Sequence, residues 1–329
     1  MKDLVDTFQR KINYLRISIT DRCNLRCVYC MPIEGVPKIT HDEILRYEEI
    51  LKVVEAAVKK GIQKIRITGG EPLVRKGVIH FIHSLSNIPS VQDLSLTTNG
   101  ILLKDYATDL YKAGLCRINV SIDSLNRKRF HRITRGGELG KVWEGVKKAT
   151  EAGISPIKIN TVIIRGINDD EIIDFAKLSI HNPFHVRFIE FMPVGSNSIW
   201  SKKRYVSSGE IKDKIEDFKE LHPISRSERE GPARMFKFKG TSGKIGFISP
   251  FSDHFCSSCN RLRLTVDGKL RTCLFSDNEV DLRYCLRKGT NNSELERLID
   301  FAISNKPERH KLQENTFRKC SRNMSEIGG

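Results

Sequence analysis

Residues 14–30 read YLRISITDRCNLRCVYC and residues 64–72 read KIRITGGEP. Each begins as a short β-rich run and ends in a loop crowded with residues of special chemistry or geometry. The first loop carries three cysteines, the second a Gly-Gly-Glu-Pro. The unit recurs along the first two-thirds of the chain. Further strand candidates are Asp93–Thr97, Arg117–Ser121, Ile157–Ile164 and His185–Phe191, after Tyr14–Thr20 and Lys64–Thr68. Between them lie amphipathic stretches at Glu43–Lys60, Lys104–Ala113, Lys141–Ala152 and Asp170–Leu178. In the first of these, Ile44, Ile50, Leu51, Val54 and Val58 include helical spacings that build one apolar stripe. Gly61, Gly114 and Gly153 follow three of the helices, where a left-handed cap is wanted.

Six β–α units imply a parallel sheet with right-handed crossovers. A closed eight-unit barrel would need two more, so the pattern predicts an α/β fold, a partial (βα)6 TIM-like barrel that stays open. Ligands of such sheets gather at the C-terminal ends of the strands. The cysteine loop follows strand one, Gly69–Pro72 strand two, Asn99–Gly100 strand three and Asp123 strand four.

The pattern changes after about residue 220. Met235–Phe238 and Lys244–Ile248 read as short strands around Gly240–Gly243. Leu262–Val266 and Lys269–Leu274 flank Asp267–Gly268, a strong hairpin signal. The expectation is a core barrel over residues 1–229 and a smaller C-terminal α+β domain over 230–329. From Asn305 the chain is polar and basic, and is expected to be poorly ordered up to its end.

Lysine and arginine number 56 against 40 acids, a formal charge of +16. That excess suits a polyanionic partner, whether nucleic acid, membrane surface or phosphorylated small molecule, although basic residues also simply keep a surface solvated. No apolar run approaches a membrane span. The first ten residues lack the apolar core of an export signal, so a cytoplasmic protein is expected.

Nine cysteines in a long chain without such a signal point to metal ligation rather than disulfides, and six of them fall in two groups. Cys116 reads as a small buried hydrophobe in an apolar strand pattern, and Cys320 has no visible role. Cys23-x3-Cys27-x2-Cys30 can wrap one metal site from a short loop. A four-iron cluster normally takes four cysteines, so three leave one iron open to a ligand. A zinc site is the alternative. Cys256-x2-Cys259-x13-Cys273 spans the hairpin, with Cys285 or His254 available as a fourth ligand if the metal is zinc. Arg261 and Arg263 share a strand face beside it, and two guanidinium forks suit a di- or triphosphate. A regular two-residue hairpin, however, pairs Cys273 with Leu262 on the opposite face.

Cys23–Cys30, with Tyr29 before the third cysteine, and Gly69–Pro72 resemble the signature of the radical S-adenosylmethionine (SAM) superfamily. The resemblance implies a 4Fe–4S cluster on Cys23, Cys27 and Cys30 whose open iron takes the amino and carboxylate groups of SAM. Reductive cleavage of SAM then gives methionine and a 5′-deoxyadenosyl radical, with the protein supplying position rather than the chemistry itself. The Gly-Gly-Glu-Pro loop is taken to hold the methionyl amino group.

Over essentially its whole length the chain further resembles the GTP 3′,8-cyclase family. The matching runs are Ser18–Asn24, Arg66–Leu73, Leu96–Gly100, Val120–Leu125, Phe130–Thr134, Lys158–Thr161, Glu190–Gly195, Cys256–Leu264 and Met324–Gly329. This implies a second 4Fe–4S cluster on Cys256, Cys259 and Cys273 that holds the guanine of GTP. It also implies hydrogen abstraction from the ribose 3′ carbon and closure onto C8, the first step of molybdenum cofactor biosynthesis. Tyr29, Gly70, Ser121 and Met192 fall at the family's SAM positions. Arg16, Arg66, Thr97, Lys158 and the segment Arg261, Leu262 and Arg263 fall at its GTP positions. Gly328 and Gly329 form a tail that enters the site. The implied partners are GTP, a flavodoxin- or ferredoxin-like electron donor and a cyclic pyranopterin monophosphate synthase that takes the product. A monomer or homodimer is expected, with no membrane and no nucleic acid.

Three rivals predict other observations. A peptide-modifying radical SAM enzyme would have no use for Arg261 and Arg263. An RNA-modifying one would use the +16 charge and bind RNA with steep salt dependence. A zinc-stabilised nucleic-acid-binding protein would be colourless.

Overall fold

A computed structural model describes residues 4–37, 39–194, 199–225, 231–289, 292–310, 320 and 322–328. The six expected strands are present: β1 (Tyr14–Ser18), β2 (Lys64–Thr68), β3 (Asp93–Thr98), β4 (Arg117–Ser121), β5 (Ile157–Ile163) and β6 (His185–Glu190). Between them run α1 (Tyr47–Lys59), α2 (Val78–Ser86), α3 (Leu103–Lys112), α4 (Arg127–Thr134), α5 (Leu139–Glu151) and α6 (Ile172–His181). Each neighbouring pair from β1 to β6 is parallel, as consecutive β–α crossovers require. The helices shield one face of the sheet. In α1 the buried set is Ile50, Val53, Val54, Ala56, Ala57 and Val58, one stripe against the strands. Gly61, Gly114 and Gly153 take φ of 113°, 93° and 98° after their helices, the left-handed exit that a side chain would oppose.

The rest of the chain adds α7 (Ser208–Phe218), β7 (His222–Pro223), β8 (Arg234–Lys237), β9 (Lys244–Ile248), β10 (Arg261–Leu264), β11 (Lys269–Arg271) and β12 (Glu279–Asp281). Three helices follow, α8 (Arg283–Arg287), α9 (Asn292–Ser304) and α10 (Met324–Ile327). These strands join the same sheet at both margins, in the order β12-β11-β10-β1-β2-β3-β4-β5-β6-β9-β8-β7. Both β10 and β9 lie parallel to their barrel neighbours, β1 and β6. The barrel core is therefore eight parallel strands wide, with antiparallel ribbons on each flank.

The β10–β11 hairpin departs from the regular register. Arg263 pairs with Arg271 and Leu264 with Leu270. Thr265 N donates to Lys269 O at 2.9 Å, and Gly268 N to Thr265 O at 3.1 Å, so the loop has three residues rather than two. Gly268 closes it at φ 85°, the left-handed geometry of a bulged three-residue hairpin. The one-residue shift carries the register on to place Cys273 opposite Arg261, so the cysteine shares a face with both Arg261 and Arg263.

Two further expectations are corrected. Cys116 is exposed, because it precedes β4 instead of lying within it. Lys306 is buried and the main chain of the residues after it is held, with Arg10 Nη1 donating to Glu308 O and Arg10 Nη2 to Pro307 O, each at 2.8 Å. Residues 311–319 lie outside the described residues.

Candidate active site

The cysteine loop is laid against the Gly-Gly-Glu-Pro loop by main-chain bonds. Gly70 N donates to Thr20 O at 2.7 Å and Glu71 N to Arg22 O at 2.8 Å. The approach explains the glycines: a Cβ on Gly70 would sit 2.3 Å from Arg22 O, and one on Gly69 2.4 Å from Thr20 O. Glu71 is fully buried and accepts from Asn99 N at 2.7 Å, Thr98 Oγ1 at 2.8 Å and Leu73 N at 3.1 Å. Burial still pushes its carboxyl up to about 7. One buried side chain thus ties the loops after β2 and β3 together beneath the cysteines.

Cys23, Cys27 and Cys30 open into one cavity. Burial raises Cys23 to about 11 and Cys30 to about 12, and each feels the charge of another cysteine or of Glu71 or Asp123. Three thiols that resist ionisation so strongly need a cation among them to become thiolates. Tyr29 donates to Asp123 Oδ2 at 2.6 Å, and Asp123 Oδ1 accepts from Val162 N at 2.9 Å. Burial raises Asp123 to about 6.

Cys256, Cys259 and Cys273 line the same cavity. Here burial pushes the Cys259 thiol up, but Arg261 and Lys306 outweigh it and bring the group down to about 6. Lys306 follows α9 and donates to Thr272 O at 2.5 Å and Arg261 O at 3.1 Å, with Cys259 Sγ 3.6 Å away. Arg10 Nη1 donates to Cys256 O at 2.8 Å. Among the described residues no three Cys, His, Asp or Glu side chains converge on a single metal ion. Cys285 packs against the hydrophobic core and does not line the cavity, while His254 does line it and lies edge-on to His310.

The wall of this cavity is cationic. Arg263, Arg16 and Arg66 are register partners across β10, β1 and β2, three guanidinium groups abreast. Burial and the charge of Arg263 hold Arg16 well below its ordinary range. Burial brings Arg263 down to about 10, reinforced by Arg261. Deeper in the barrel Asp93 is shared by Lys64, at 3.4 Å, and Arg117. Burial, with the charges of Arg187, Arg117, Arg66 and Lys64, pushes Lys158 down to about 5. A wall of this kind is strained until an anion enters.

Of the residues singled out in the sequence, Tyr29, Gly70, Ser121 and Met192 line the cavity, as do Arg16, Arg66, Thr97, Arg261 and Arg263. Thr97 Oγ1 is buried there without a hydrogen-bond partner among the described residues. Lys158 stands a layer below the lining. Leu262 points its side chain into the hydrophobic core, so it can offer the cavity only main chain. Gly328 is buried over the barrel mouth, with its carbonyl and that of Ile327 accepting from Arg263 Nη1. A Cβ on Gly328 would sit 2.5 Å from Thr68 Cγ2. Gly329 lies outside the described residues. Sequence reading missed Lys306, Arg10 and Arg187, whose only signal was a basic residue inside an apolar strand or a polar tail.

Residues 17–179 match the radical SAM superfamily, and residues 184–312 match the family described as Molybdenum Cofactor Synthesis C. The chain is 52% identical over 324 residues to the GTP 3′,8-cyclase of Alkaliphilus metalliredigens, covering 98% of this chain and 99% of that one. It is 53% identical over 326 residues to the GTP 3′,8-cyclase of Thermodesulfovibrio yellowstonii, with the same coverage. Among solved structures, Streptococcus suis SuiB superposes with a TM-score of 0.63 at 15% identity, over 90% of this chain and 68% of that one. SuiB bound to S-adenosylmethionine gives 0.61 at 15% identity, over 86% and 67%. At that identity the likeness concerns the fold alone.

Proposed function

The chain belongs to the GTP 3′,8-cyclase family of radical SAM enzymes, and we propose that its cavity holds SAM at the first cysteine triad and GTP between the two. Cys23, Cys27 and Cys30 would carry one 4Fe–4S cluster, and Cys256, Cys259 and Cys273 the other. Together with SAM, the first cluster supplies the 5′-deoxyadenosyl radical that takes the ribose 3′ hydrogen. The observation that supports this most is a single cavity lined by both thiol triads and by the arginine row of β10, β1 and β2.

In this reading Tyr29, Gly70, Ser121 and Met192 bound the SAM end, with Asp123 fixing the Tyr29 ring. Arg16, Arg66 and Arg263 offer forked donors to a triphosphate, with Arg261 beside the second triad and Lys158 beneath. Thr97 Oγ1 is a free donor or acceptor for a ligand hydroxyl. Residues 1–229 serve as the SAM-handling core, and residues 230–329 bring the second triad and the tail. The product is 3′,8-cyclo-7,8-dihydro-GTP, which a cyclic pyranopterin monophosphate synthase would consume. Among the described residues no helix is long and apolar enough to cross a membrane. None of the nine cysteines is in a disulfide, as suits a reducing cytoplasm.

The test is anaerobic. Reconstituted, reduced protein is given SAM with GTP, ATP or no nucleotide, and 5′-deoxyadenosine is counted. Release that depends on GTP supports the reading, while release indifferent to nucleotide removes the substrate assignment.

A further inference from the structure

Helix α4 is strongly basic. Its sequence, RKRFHRIT, contains no acidic residue. Phe130, Ile133 and Thr134 face the core, and Arg129 is held by Asp170 and Glu171. That leaves Arg127, Lys128, His131 and Arg132 exposed, with no ion pair among the described residues. Some exposed lysines on other helices are answered within their own helix or its cap, as in Lys141–Glu138, Lys148–Glu151 and Lys177–Asp174. Three cations also occupy the first turn of α4, where the helix dipole disfavours positive charge. Such a placement works against the helix itself.

The same helix abuts the first cysteine loop. Arg26 N donates to Thr134 O at 3.1 Å and Val28 N to Ile133 O at 2.9 Å. Arg135, the left-handed cap that ends α4, donates to Met31 O at 3.0 Å, one residue beyond Cys30. An unanswered positive surface therefore runs up to the loop that carries the first triad.

We propose that the exposed face of α4, centred on Lys128 and Arg132, is the docking surface for an acidic one-electron carrier protein that reduces the first cluster. The proposal rests on the radical SAM reading above. One electron leaves the reduced carrier, which is oxidised, and enters the cluster on Cys23, Cys27 and Cys30, which is reduced by one; no bond or proton moves. Charge complementarity steers the carrier to the side where the cluster loop meets solvent, away from the substrate wall.

The probe is a low-potential flavodoxin with its NADPH-dependent reductase, used on the reconstituted holoenzyme. Lys128→Glu with Arg132→Glu should weaken flavodoxin binding, followed by titration, and slow flavodoxin-driven cluster reduction by roughly ten- to a hundred-fold at low salt. The difference should shrink as salt rises. Reduction by dithionite, followed by electron paramagnetic resonance, should be unchanged, as should all readouts in a Lys147→Glu control on α5. Equal flavodoxin binding by the unaltered and reversed proteins would overturn the proposal. So would an RNA hairpin whose binding the reversal abolishes while flavodoxin binding is untouched. Loss of dithionite-driven reduction in both the reversal and a milder Lys128→Gln, Arg132→Gln pair would place the effect in the cysteine loop and overturn it too. The binding titration needs no turnover, so it stands apart from any failure of GTP-dependent SAM cleavage.

Discussion

The two cysteine triads share a residue type but differ at one member: burial raises Cys256 as it raises the first triad, whereas Cys259 is lowered. The first comes from eight consecutive residues, and its thiols are driven up by burial and by one another's charge. The second is assembled from two segments, and there Arg261 and Lys306 overcome burial and bring Cys259 down to about 6. A site made within one loop gets its geometry from that loop and its charge balance from whatever binds. A site made by strand pairing gets its charge balance from the strands that pair. In the proposed reading, the first would suit a cofactor that brings its own cation, and the second a place where an anionic substrate must also be tolerated.

The largest test of that contrast removes one ligand from each triad. Cys27→Ala should abolish SAM cleavage with dithionite as reductant, to background, and roughly halve the iron per chain. Cys259→Ala should lose a similar share of iron but keep SAM cleavage while losing its dependence on GTP. If both variants lose SAM cleavage alike, the triads do not act separately.

Next in size is a proton linkage at the cationic wall. Lys158 at about 5 is neutral near neutral pH in the ligand-free protein. A triphosphate favours its charged form, so binding should take up a proton and affinity should fall as pH rises from about 6.5 to 8.5. Calorimetry of GTP binding in buffers of different ionisation enthalpy reads the uptake directly, and Lys158→Met should reduce it. Binding that is tighter at the alkaline end would contradict the sign.

Gly268→Ala attacks the hairpin shift that sets the second triad. Its φ is 85°, and the new Cβ would sit 2.8 Å from Arg283 Cβ and 3.0 Å from Leu45 Cδ2. A cost of about 1–3 kcal/mol is expected, seen as a lowered melting temperature. Iron should be lost from the second triad first, with SAM cleavage retained. The smallest effect belongs to Cys285→Ser, which should leave iron content and GTP dependence unchanged. Zinc in place of the second cluster, lost with that substitution, would reverse this assignment.

The barrel strands were legible almost to the residue, because apolar runs of fixed length alternate with amphipathic stretches ended by glycine. The first triad was legible for the same reason: everything it needs is adjacent in sequence. The second was visible as spacing, yet its facing stayed open between a regular and a bulged hairpin. Nothing in Asp267–Gly268 says whether Val266 belongs to the strand or to the loop. The bond from Thr265 Oγ1 to Asp267 Oδ1, at 2.6 Å, and that from Lys269 N to Thr265 Oγ1, at 2.8 Å, settle it in the folded chain. Lys306 was unreadable because its role depends on the end of α9 meeting the carbonyls of Arg261 and Thr272, a contact of tertiary origin. Gly328 became intelligible only with Thr68 and Arg263 around it.

The pairing of β10 with β1 has a consequence for how the molecule comes into being. An N-terminal strand emerges from the ribosome first and ordinarily finds its partners early. Here β1 gains β2 soon, but its other edge stays open until β10 has been synthesised, near the far end of the chain. Such a long-range pairing closes late, because the intervening chain must first be drawn together. The arginine row across β10, β1 and β2, and the tail seated on Arg263, exist only after that closure. A nascent or truncated chain can display the first three cysteines, but it has no substrate wall to set beside them. The topology thus acts as a completeness check, withholding a site for radical chemistry from any chain that has not been finished.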